Sequence, residues 1–117
     1  MPFFIRLLRL TDQGMQMLRD QQTAFQEMGE VIQKGGGKLV AAWVTQGEYD
    51  IISVIDAPDD KAMRQISGKV AVKGYYTGKT LPAIPVNEFI RTFGQSAQSS
   101  MFVESWFRAS RQQRGGR

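Results

Sequence analysis

The stretch Lys38-Leu39-Val40-Ala41-Ala42-Trp43-Val44-Thr45-Gln46-Gly47-Glu48-Tyr49-Asp50-Ile51-Ile52-Ser53-Val54-Ile55-Asp56 decides how this chain folds. Two segments rich in β-branched and aromatic residues, Leu39 to Val44 and Ile51 to Ile55, flank a polar run whose Gly47 accepts the positive φ of a tight turn. The reading is a hairpin, with one strand over Lys38 to Thr45 and the next over Tyr49 to Asp56. Glu48, Tyr49 and Asp50 then stand at its mouth.

Working outward, Phe3 to Leu10 reads as a first strand that is apolar on both faces, with Phe3, Ile5 and Leu7 on one side and Phe4, Leu8 and Leu10 on the other. From Thr11-Asp12 the period changes. Met15, Leu18, Phe25, Met28 and Ile32 recur near multiples of 3.6, which predicts one amphipathic helix of about 20 residues, capped by Thr11 or Asp12 and ended by Gly35-Gly36-Gly37. After the hairpin, Ala57-Pro58-Asp59-Asp60 supplies a turn and an N-cap for a second helix that turns Ala62, Met63, Ile66 and Val70 inward. Tyr75 to Leu81 reads as a fourth strand, and Gly78 and Pro82 suit it to a sheet edge. Pro85 to Gly94 reads as a short helix with Val86, Phe89, Ile90 and Phe93 on one face. The order βαββαβ plus a helix is the ferredoxin-like, α+β pattern: an antiparallel sheet with helices on one face.

A chain of 117 residues holds one core and a tail. With 42% hydrophobic and 22% charged residues and no long apolar run, it is expected to be a soluble protein of the cytoplasm that spans no membrane. There is no cysteine and no histidine, which removes thiolate and imidazole chemistry together with the commonest metal ligands. No cofactor and no metal are expected. Of the net charge of +4, three charges sit in the tail, where Arg108, Arg111, Arg114 and Arg117 face only Glu104.

Helices can cover one face of the sheet, yet the first two strands are apolar on both. Burying several large side chains, at roughly 1.5–3 kcal/mol each, makes sheet-to-sheet dimerisation the economical outcome, so a homodimer or larger oligomer is predicted.

Leu7-Leu8-Arg9-Leu10-Thr11-Asp12-Gln13-Gly14, Gly36-Gly37-Lys38-Leu39, Gly47-Glu48-Tyr49-Asp50 and Ala57-Pro58-Asp59-Asp60 occur in the order of a GYD domain, and over about residues 3 to 93 the chain resembles that family. The resemblance implies a ferredoxin-like fold of the dimeric α/β-barrel type and no settled biochemical activity. The expected organisation is a GYD-like domain over 1–94 and a basic, aromatic-containing tail over 95–117.

Candidate sites follow from charge on strands. Glu48 and Asp50 share a face about 6.5–7 Å apart, the spacing of an acid/base pair, but the plainer reading solvates Glu48, pairs Asp50 with Arg6 or Arg9 and packs Tyr49 at the sheet edge. Arg6 and Arg9 interrupt a central strand, where an unpaired charge is costly, so each needs an acidic partner, water or an anionic ligand. If Arg6 lies on the face away from the helices, then Arg6, Trp43, Tyr49 and Asp50 line a ligand cleft between paired sheets. Gly35-Gly36-Gly37-Lys38 follows a helix and precedes a strand, the reverse of a phosphate loop, and reads as a helix end. Asp59-Asp60 reads as a cap rather than a metal site. In the tail, a helix over 100–111 would gather Phe102, Val103, Trp106 and Phe107 on one face, suited to docking within the oligomer, on another protein or on a membrane surface. Four basic residues make a thin case for nucleic acid.

The functional expectation is a small homo-oligomeric protein that binds a small anionic or aromatic molecule beside the sheet, with enzymatic activity left open. The alternatives are a cofactor-independent enzyme of the monooxygenase or isomerase type using Arg6, Tyr49 and Asp50, or a purely structural assembly protein.

Overall fold

β1 (Phe3–Leu10) runs through the middle of a four-stranded antiparallel sheet in the order β2-β3-β1-β4, with β2 at Lys38–Val44, β3 at Ile51–Asp56 and β4 at Tyr76–Ala83. A strand apolar on both faces belongs at the centre, where both faces can be covered. The broken strand β4 lies at one edge, where a proline such as Pro82, opposite Phe4, is tolerated. The helices are α1 (Asp12–Asp20), α2 (Thr23–Lys34), α3 (Asp60–Val72) and α4 (Val86–Phe93). This computed structural model describes residues 2–20, 23–93 and 104–108. The architecture is α+β and consistent with a ferredoxin-like fold.

The register sorts the strand residues by face. Phe4, Arg6 and Leu8 of β1 pair with Ile55, Ser53 and Ile51 of β3, and all six are buried. Met28 and Ile32 of α2 and Met63, Ile66 and Val70 of α3 complete a single core on this side. The other face carries Phe3, Ile5 and Leu7, their β3 partners Ile52 and Val54, Trp43 of β2 and Leu81 of β4. Trp43 remains 54% exposed and Leu81 43% exposed, and Phe3, Ile5, Leu7, Ile52 and Val54 are partly buried, so the described residues leave this face partly open.

Three element boundaries differ from the sequence reading. The first helical region is two helices, α1 and α2, and of its expected apolar face Met28 and Ile32 are buried whereas Met15 and Phe25 are exposed. The short α1 makes its close approach through Gly14 instead, where an added Cβ would collide with the Tyr75 carbonyl oxygen. The hairpin connection is longer than a two-residue turn: β2 ends at Val44 and β3 begins at Ile51. Gly47 has φ 117° within it, as the turn requires. β4 runs on to Ala83 because its pairing with β1 continues to Phe3.

The capping assignments explain the helix ends. The Thr11 hydroxyl accepts from the Gly14 amide at 3.0 Å, so Thr11 rather than Asp12 caps α1. Asp59 caps α3 by accepting from the Ala62 amide at 2.8 Å. At the end of α2 the Gly37 amide donates to Ile32 O and the Gly36 amide to Gln33 O, with Gly36 at φ 85°, the hydrogen-bond pattern of a Schellman motif. The triple glycine therefore closes a helix and cradles nothing.

The chain divides into two compact units, Met1–Ala83 and Ile84–Arg117, and α4 falls in the second. Within the second unit Phe89 of α4 packs against Trp106 and Phe107 with ring centroids 6.5 Å and 6.2 Å apart. No helix among the described residues is long and apolar enough to cross a membrane.

Candidate functional site

The hairpin mouth is held by its own polar groups. Beyond Leu8 the β1–β3 ladder stops, and Asp50 takes over. Its amide donates to Leu8 O at 2.8 Å, and its Oδ2 accepts from the Leu10 amide at 2.8 Å in place of a strand carbonyl. Its own carbonyl accepts from the Thr45 amide at 2.8 Å, while the Thr45 hydroxyl donates to Tyr49 O at 2.6 Å. Asp50 therefore has a backbone partner and no ion pair with Arg6 or Arg9. Arg9 instead reaches Glu48 at 3.6 Å and lies over the Tyr49 ring, 5.6 Å from its centroid. Arg9 and Glu48 are both largely exposed, so this pair contributes little.

The segment Thr11-Asp12-Gln13-Gly14 has an equally structural account. The Thr11 amide donates to Tyr75 O at 3.0 Å and its hydroxyl to Gly74 O at 2.6 Å, which ties the β1–α1 junction to the start of β4.

Arg6 is where the structure departs most from the expected cleft. Alternation along β1 puts it with Phe4 and Leu8 on the helix side, opposite in facing to Trp43, which pairs with Ile52 on the open face. Asp50 meets β1 from the β3 side, whereas Arg6 turns to β4 and donates through Nε to Thr80 Oγ1 at 3.3 Å. Arg6, Trp43, Tyr49 and Asp50 are therefore not gathered into one pocket. The reason is register: the helices cover the face that carries Arg6.

What Arg6 does join is a polar row crossing the core. Its strand partners are Ser53 on β3 and Thr80 on β4, and Ser67 of α3 lies with its hydroxyl 3.5 Å from that of Thr80. Arg6 is 7% exposed and Ser53 fully buried, and neither Arg6 Nη1 nor Ser53 Oγ has a hydrogen-bond partner. No carboxylate of the described residues forms an ion pair with Arg6. Burial lowers the Arg6 pKa, partly opposed by Tyr76. Burial also pushes the Tyr76 phenol up, reinforced by Glu27 and Tyr75 and countered by Arg6.

Beside this row lies a cleft of about 560 Å³, with Phe4, Thr80 and Pro82 of the sheet on one side and Asp60, Met63, Arg64 and Ser67 of α3 on the other. The sequence reading did not assemble these residues. The spacing 60, 63, 64, 67 marks one helical stripe, but only the register Phe4–Pro82 and Arg6–Thr80 shows which strand it faces.

Of the tail residues singled out, Phe102 lies outside the described residues, while Trp106 and Phe107 are 41% and 47% exposed. No group of three or more Asp or Glu residues among the described residues is placed to hold a metal.

Compared with known families, residues 4–93 match the model of the GYD domain. The chain belongs to the GYD-domain family. The match ends where α4 ends, so the GYD domain takes in α4 as well as the sheet. A GYD-sized relative from Thermus thermophilus, the "Glutamine synthetase and cystathionine beta-lyase binding protein", is 32% identical over 91 residues, spanning 77% of this chain and 96% of the relative. Among solved structures, TTHA0845, also from Thermus thermophilus, superposes with a TM-score of 0.47 at 16% identity, over 73% of this chain and 95% of the other.

Proposed function

We propose that this GYD-domain chain is a small homo-oligomeric binding protein whose copies pair through the open faces of their sheets, in the dimeric α/β-barrel manner, and whose further partners are proteins. The observation that carries the reading is the open face itself. Four strands about 4.8 Å apart and about seven residues at 3.3 Å make a surface of roughly 400 Å² in projection, comparable to the largest surface patches of single-chain proteins, which are often functional. Phe3, Ile5, Leu7, Trp43, Val54 and Leu81 dominate it.

Arg9 and Lys79 stand toward one end of this face and Asp56 at the other, and Asp56 Oδ1 is buried with no hydrogen-bond partner and no ion pair to Lys38 across the strand. A two-fold axis lying between the sheets, parallel to them and across the strands, brings the two faces together with the Arg9 end of one copy against the Asp56 end of the other, as an isologous interface allows. The Thermus relative, named for binding glutamine synthetase and cystathionine β-lyase, supports protein partners of that kind here. The small-enzyme alternative needs Arg6, Tyr49 and Asp50 to act together, and Arg6 turns toward β4, away from the hairpin mouth that holds Tyr49 and Asp50.

Native mass spectrometry and light scattering test the pairing. A dimer is expected for the full chain at tens of micromolar, with a folded monomer for Leu81→Glu, which places a charge in the face without touching the core. A monomeric parent chain refutes the pairing. Surface-bound chain challenged with purified glutamine synthetase and cystathionine β-lyase tests the partners, and binding to neither refutes that half.

A further inference from the structure

The geometry points to a binding site for a small monocarboxylate with an apolar body in the cleft between α3 and β4, on the face of the sheet opposite the proposed dimer contact. Three observations converge on this chemistry. Arg6 is more than nine-tenths buried, with Nη1 unpartnered, and no described carboxylate neutralises it. Its Nε donates to Thr80 Oγ1, and Thr80 lines the cleft, so the charge reaches the cleft wall through one hydroxyl. Because that oxygen accepts from the guanidinium, the Thr80 proton is available to Ser67 or to an oxyanion in the cleft, and the Ser67 hydroxyl adds a second donor.

The rest of the lining sets the class of ligand. Phe4, Met63 and Pro82 offer an apolar wall to an aryl or branched alkyl group. Arg64 adds a cation at the cleft, and Asp60 adds an anion beside it, which favours one negative charge over the two of a phosphate monoester. The volume of about 560 Å³ admits such a molecule with room to spare for a larger apolar body.

Benzoate is the probe, with benzamide as its neutral isostere and inorganic phosphate as the competing oxyanion, each titrated calorimetrically into the full chain and followed by amide chemical shifts. Saturable binding of benzoate with shifts centred on Met63, Ser67 and Thr80 is expected, with benzamide and phosphate at least tenfold weaker. Thr80→Val and Ser67→Ala should each weaken benzoate about tenfold while leaving the circular dichroism spectrum unchanged. Leu81→Glu should leave benzoate affinity unchanged, which separates this site from the fate of the dimer. Absence of saturable benzoate binding, phosphate binding as tightly, or full affinity in folded Thr80→Val overturns the assignment.

Discussion

Asp50→Ala tests whether the Gly-Glu-Tyr-Asp segment serves architecture. The carboxylate accepts a 2.8 Å bond from the Leu10 amide where β3 no longer offers β1 a carbonyl. Removing it leaves a part-buried amide of the central strand unsatisfied, which costs about 1–3 kcal/mol, at the upper end because the lost bond is charge-assisted. Asn at the same position keeps an acceptor oxygen on the same stem and gives up mainly the charge, so Asp50→Asn should cost roughly 0.5–1 kcal/mol. For a chain of 117 residues, about 2 kcal/mol corresponds to a fall in Tm of roughly 6–12 °C. Urea unfolding followed by tryptophan fluorescence, with the slope unchanged, converts the midpoint shift to a free energy. The graded order Ala worse than Asn worse than Asp is the signature of an acceptor role. An Asp50→Ala variant within about 0.3 kcal/mol of the parent, or Asn and Ala equally destabilised, refutes it.

Two further outcomes follow from the same contacts. Gly14→Ala should cost more than about 2 kcal/mol, read as a urea midpoint, because its Cβ would collide with the Tyr75 carbonyl and that backbone cannot move without breaking the Thr11–Tyr75 bond; an ordinary helix-propensity gain would show the opposite sign. Tyr76 sets a pH limit: its folded pKa lies above the ordinary value near 10, so above about pH 10 the unfolded chain ionises first and stability falls as pH rises toward the folded value. Tyr76→Phe should flatten that part of the stability profile, and an unchanged alkaline slope would show that the decline comes from other groups.

The fold was legible wherever periodicity and punctuation agreed. β1 announced its central place by carrying large apolar residues at both parities, and β4 its edge place by Gly78 and Pro82. Asp59 and the triple glycine declared the start of α3 and the end of α2. Legibility stopped where a face had to be chosen. Alternation ties Arg6 to Phe4 and Leu8, but nothing local says that this parity, rather than that of Ile5 and Leu7, meets the helices. Both are apolar, and only the packing of Ile32, Met63 and Ile66 decides it. Choosing the other face assembled Arg6 with Trp43. Asp50 was misread for a related reason: a carboxylate at a strand start suggests an ionic partner, and its actual partner is a backbone amide whose position depends on where the β1–β3 ladder breaks.

Arg6→Met separates a group kept for folding from one kept for use. The row Ser53–Arg6–Thr80 crosses a core that is otherwise apolar, between the pairs Phe4–Ile55 and Leu8–Ile51. Replacing a buried charge by an apolar side chain of similar volume is commonly neutral or stabilising, whereas an unneutralised guanidinium carries its desolvation cost in full. Methionine at position 6 fills nearly the same space, and the Thr80 and Ser67 hydroxyls, already 3.5 Å apart, can satisfy each other. The ligand-free variant should therefore be at least as stable as the parent in urea, while benzoate should raise the midpoint of the parent alone. If Arg6 is instead kept as a structural tie to Thr80, Arg6→Met would unfold at markedly lower urea by about 1–3 kcal/mol, and the buried charge would need no anion to account for it.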